Sequence, residues 1–81
     1  MRQNKIKIDN GDLKIRAITA RMKLREAGIN YGVVIRSRHP QMDSIEAMAK
    51  VRAVANGSST DIQITQWLEE LVLEQTQKQS A

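Results

Sequence analysis

Very few side chains in this sequence could do covalent chemistry. There is no Cys, so neither a thiolate nucleophile nor a thiolate metal site can form. His39 is the single imidazole. It stands in a basic loop before Pro40, and no sequence pattern supplies the partner a general base needs; a phosphate contact is the use left to it. Glu69 and Glu70 are adjacent carboxylates, but neighbours on a helix point about 100° apart and do not converge. Gly28, Gly32 and Gly57 are isolated and read as turn or cap residues, not as a phosphate-cradling loop. The expectation is a non-enzymatic protein without a cofactor or metal.

Cationic side chains are better supplied. Residues 1–38 carry ten basic and three acidic side chains, a net +7, whereas residues 39–81 carry three and six, a net −3. Such segregation suggests one half that meets a polyanion. Lys5 and Lys7 alternate with Ile6 and Ile8. In an extended strand that puts both ammonium groups on one face. Arg36 and Arg38 repeat the pattern beside Val33 and Ile35 if residues 33–38 are extended. A two-stranded ribbon fits the major groove, where Arg or Lys reaches guanine edges or phosphates. Tyr31 alone makes a poor stacking platform, which disfavours single strands and RNA. The candidate DNA contacts are Arg2, Lys5, Lys7, Lys14, Arg16, Arg21, Arg25, Arg36 and Arg38.

The elements that would position these groups are short. Residues 4–16 alternate with period two around Asn10-Gly11, which predicts a hairpin pairing Ile8 with Leu13 and Ile6 with Ile15. A helix from Asp12 competes with it. Leu13, Ala17, Ala20, Leu24 and Ala27 then share one face, Ile15, Ile18 and Met22 form a strip opposite, and Gly28 closes the helix. Lys14, Arg21 and Arg25 line one flank, and Arg16 and Lys23 the other. Residues 33–38 suit a strand or a short helix capped by Asn30, stopped in either case by Pro40. Residues 42–56 read as a helix capped by Asp43 or Ser44, with Ile45, Met48, Ala49 and Ala55 as its apolar face and Asn56-Gly57 as its end. A last helix runs from about 61 to 76, with Ile64, Trp67, Leu68, Leu71 and Val72 inward. Beyond it the tail is polar and is expected to fray.

This order of elements resembles the ribbon-helix-helix DNA-binding proteins, which pair N-terminal strands across a dimer axis and lay the ribbon in the major groove. One placement takes Lys5 to Asp9 as the strand and 12–27 as the first helix, with Gly28 to Arg36 opening the second; Lys5 and Lys7 then match the groove readers. The other takes Val33 to Arg38 as the strand, 42–56 and the helix after Asp61 as the pair, and Arg36 and Arg38 as readers. Helix-turn-helix proteins are partly imitated too: Ala53, Gly57, Ile64 and Trp67 sit near that motif's positions, with a turn one residue longer and Ser58 where an apolar residue is usual.

The fold expected is therefore mainly α with a short N-terminal β-ribbon, or α+β with an N-terminal hairpin followed by helices. A basic region at 1–38 and a helical region at 39–81 would form one domain. An 81-residue aliphatic core with no disulfide favours dimerisation. The resemblance implies a dimeric duplex-DNA-binding regulator: a transcriptional repressor, or an organiser of a plasmid or phage DNA site. The C-terminal helix offers a surface for a protein partner. The alternative is a small interaction module, such as a phage-encoded inhibitor, adaptor or antitoxin. No secretory leader or membrane span is legible, so the cytoplasm is the expected compartment.

Overall fold

A computed structural model of the chain describes residues 10–80, with side chains described for 10–77. Four α-helices follow one another: α1 (Asn10–Glu26), α2 (Tyr31–Arg38), α3 (Ile45–Asn56) and α4 (Ile62–Ser80), with a 3-10 turn at Pro40–Met42 between α2 and α3. No strand occurs among the described residues. The mainly-α fold with a β-ribbon, and its α+β alternative, give way to an all-α one.

Each correction has a local cause. Asn10-Gly11, the proposed hairpin turn, opens α1 instead. Good helix formers follow it, and the stripe Leu13, Ala17, Ala20 and Leu24 is buried against the rest of the molecule, so tertiary packing overrides the local hairpin signal. The second expected strand, Val33 to Arg38, lies in α2. Its β-branched residues are held helical by Asn30, whose side chain accepts from the Val33 amide, and by complete burial of Ile35. The ribbon placement that used Arg36 and Arg38 therefore fails. The strand proposed at Lys5 to Asp9 lies outside the described residues.

α2 stops early because Pro40 forces His39 out of the helical region, at φ −129° and ψ 82°. α3 starts at Ser44, whose hydroxyl accepts from the Ala47 amide at 3.0 Å. It ends in a left-handed Gly57 (φ +82°), with the Gly57 amide on the Val54 carbonyl and the Ser58 amide on the Ala53 carbonyl. Asp61 then caps α4, its carboxylate accepting from the Ile64 amide at 2.9 Å.

α1 packs on both α3 and α4, and α2 lies against the same pair. All four helices contribute to one apolar cluster, with Leu24, Ile35, Val51, Val54 and Leu68 as its largest fully buried aliphatic members. Thr65 is the one buried polar side chain among the described residues, and its hydroxyl donates to the Asp61 carbonyl at 2.8 Å. His39, read from the sequence as a loop imidazole with a phosphate contact as its use, stacks on Trp67 with ring centroids 3.9 Å apart. No described helix is long and apolar enough to cross a membrane.

Candidate functional site

Six of the nine cationic residues singled out in the sequence are described, and two of those six are paired with glutamates of α4. Arg2, Lys5 and Lys7 lie outside the described residues. Arg16 forms a two-pronged pair with Glu69 on α4, at 2.9 and 2.7 Å. Arg38 does the same with Glu74, at 2.6 and 2.7 Å. These hydrogen bonds raise both guanidinium pKa values, and the bond from Arg16 holds the Glu69 carboxyl below its ordinary range. The acidic helix thus neutralises two of the nine expected DNA contacts. Lys14 and Arg25 are exposed on α1 without a partner among the described residues.

The remaining two arginines stand at the ends of α3. Arg36 approaches Asp43 at 3.9 Å, too long for a strong bond, beside the N-terminal end of that helix. Arg21 reaches from α1 to the Ala55 carbonyl at the other end, at 3.2 Å.

Between them runs the outer stripe of α3. Its buried face is Met48, Val51, Val54 and Ala55. A second face, about 120° round the helix from that one, is Ile45, Ala49, Arg52 and Asn56, one turn apart in succession, and all four are exposed. Ile45 is the most exposed large hydrophobic residue among those described, at 87%. The side chains of Arg52 and Asn56 have no hydrogen-bond or ion-pair partner among the described residues. A cleft against α2 adjoins the stripe, lined by Arg36, Asp43, Ser44, Ile45, Met48 and Arg52.

Sequence reasoning missed this stripe by assigning Ile45 and Ala49 to the buried face. The available signal was phase. Met48, Val51, Val54 and Ala55 form a complete 3–4 stripe, and Ile45 and Ala49 fall at its edge or beyond it.

No family model matches this chain, and neither the curated proteins nor the solved structures include a significant match. Its chemistry must be read from its own residues.

Those residues offer recognition. Among the described residues no three of His, Cys, Asp and Glu cluster as a metal site would require. The α3 stripe presents an apolar tip, a small side chain, a forked donor and an amide in line. It is bracketed by a guanidinium at each end.

Proposed function

We propose that this chain binds duplex DNA through the unit α2–turn–α3, with α3 in the major groove. The observation that carries the reading is the exposed stripe Ile45, Ala49, Arg52 and Asn56, whose two polar members have no partner among the described residues. Each member suits a base edge. Arg forks onto guanine, Asn onto adenine, and Ile and Ala touch thymine methyls. A helix followed by a turn and a second, groove-reading helix is the arrangement that helix-turn-helix proteins use. Arg36 and Arg21, at the two ends of α3, suit phosphates on either side of the groove. Lys14 and Arg25 add to the positive flank of α1.

This reading keeps the regulator expected from the charge balance and moves its reading surface from a ribbon to a helix. The protein acts in the cytoplasm as a dimer on a repressor or DNA-organising site. The Arg16–Glu69 and Arg38–Glu74 pairs link α1 and α2 to α4 and are not spent on DNA.

Selection from a pool of random 20-base-pair duplexes tests it. The expected result is an enriched site whose affinity falls steeply with salt. Arg52→Ala relaxes a guanine position and Asn56→Ala an adenine position, each by about 1–3 kcal/mol. No enrichment, with no retention of any duplex at low salt, overturns the reading.

A further inference from the structure

α2 and α3 leave a cleft of about 300 Å³ between them, at the lower end of the size of small-ligand sites. Ile45, Met48 and Arg52 line it at i, i+3 and i+7, so one side of α3 forms its wall over two turns. Met48 is buried, and a Cβ on Gly32 would lie 3.2 Å from its Cε, so α2 lies close against that part of the wall. Arg36 enters from α2 and Arg52 from α3, which puts two guanidinium groups on one partly apolar cleft. Neither is strongly engaged. Arg36 approaches Asp43 only to 3.9 Å, and Arg52 has no partner among the described residues. Two cations lining so small a space repel each other, and an anion between them removes that cost. Ser44 is already used as the cap of α3, so the anchoring falls to the two guanidinium groups.

We propose that this cleft binds a small organic phosphate monoester and that the bound ligand displaces DNA. The second part rests on the reading above, which gives Arg52 to guanine and Arg36 to a phosphate. The dianionic head of the ligand lies between Arg36 and Arg52, each donating through its fork. Its apolar body covers Ile45, which water otherwise surrounds. Asp43 holds Arg36 only loosely and yields it to the ligand. The nucleic-acid backbone offers related chemistry, but as a diester it brings one charge to the pair of guanidinium groups and a monoester brings two. With Arg36 and Arg52 occupied, α3 keeps neither its guanine fork nor its phosphate contact beside the N-terminal end.

Titration of the full chain with phenyl phosphate, at fixed ionic strength and a pH of about 8 where the monoester is a dianion, tests the proposal. Amide and arginine Nε–H shifts should saturate as one site, confined to Arg36, residues 43–48 and Arg52. Arg36→Gln and Arg52→Gln each weaken binding about tenfold. Asp43→Asn strengthens it about threefold, because the competing carboxylate is gone. Dimethyl phosphate, the diester probe, binds about tenfold more weakly, and phenol, the body without the head, does not saturate the site. Circular dichroism shows each exposed-site variant still folded. Shifts that grow without saturating, or that spread over every arginine, overturn the proposal. So do a weaker Asp43→Asn variant, equal binding of the diester, and a duplex that stays bound when phenyl phosphate fills the cleft. A chain that saturates with phenyl phosphate and retains no duplex refutes the reading above and spares this site. A chain that binds a duplex through α3 and has no saturable phenyl phosphate site does the reverse.

Discussion

Two glycines close two helices in the same left-handed geometry, yet their surroundings differ. Gly28 ends α1 at φ +75°, and a Cβ there would meet nothing within 4 Å. Gly57 ends α3 at φ +82°, and a Cβ there would come within 2.6 Å of Ile18 Cδ1 and 3.2 Å of its Cγ1. An alanine in the left-handed region costs about 1–2 kcal/mol, offset by about 0.4–1 kcal/mol from the stiffer unfolded chain. Gly28→Ala should therefore cost about 1 kcal/mol. At Gly57 the end of Ile18 must also swing aside, which adds about 0.5–1.5 kcal/mol for an off-rotamer side chain. In a domain of this size each kcal/mol lowers Tm by about 4–8 °C. Thermal melts should thus rank Gly57→Ala below Gly28→Ala by several degrees. Ile18→Val deletes Cδ1, so in that background Gly57→Ala should cost about as much as Gly28→Ala, a coupling read by a double-mutant cycle. Equal costs for the two glycines in the unaltered chain would refute the tight docking of α1 on the turn after α3.

Acid should destabilise the fold in a defined window. The hydrogen bond from Arg16 lowers the Glu69 pKa. At Asp61, burial is the largest influence and acts upward, but the Ile64 amide, Lys50 and the Gln63 amide together outweigh it and lower the pKa. A carboxyl whose folded pKa is depressed stabilises fully above its unfolded value, near 4, and loses that contribution as pH falls through the folded value. Melts between pH 7 and 3 should show this decline, and Glu69→Gln or Asp61→Asn should flatten it. Ser44→Ala removes the cap that starts α3 and should cost about 0.5–2 kcal/mol by denaturant titration. Leu68→Ala, which empties a fully buried site, should cost about 2–5 kcal/mol in the same assay.

Helical phase made much of this fold legible in advance. Ala17, Ala20 and Leu24 on α1, and Ile64, Leu68 and Leu71 on α4, repeat at the helical period and are buried together, and Leu13, one turn before Ala17, is buried too. Gly28 and Gly57 mark two helix ends, and Asn30 and Ser44 two starts. Phase failed where apolar residues surround a helix. α3 offers two apolar stripes, and only packing chooses Val51 and Val54 over Ile45 and Ala49. Residues 33–38 were ambiguous because β-branched propensity and an Asn cap point to different structures, and the buried position of Ile35 decides between them. Charge along the chain also misled. Arg16 and Arg38 belong to a positive segment in sequence, yet in space each lies against a glutamate more than thirty residues away. A linear tally cannot foresee that the acidic helix returns alongside the basic one.

The central claim is that the outer stripe of α3 reads DNA, and amide chemical shifts of the labelled chain, titrated with a short duplex at low salt, test it most directly. The predicted result is a perturbed set confined to Arg36, residues 44–57, and Lys14, Arg21 and Arg25 on α1, with the Ile15, Val72 and Leu73 amides unmoved. Shifts that concentrate on the α1–α4 face, or that leave Ile45, Ala49, Arg52 and Asn56 unchanged as duplex accumulates, would contradict it.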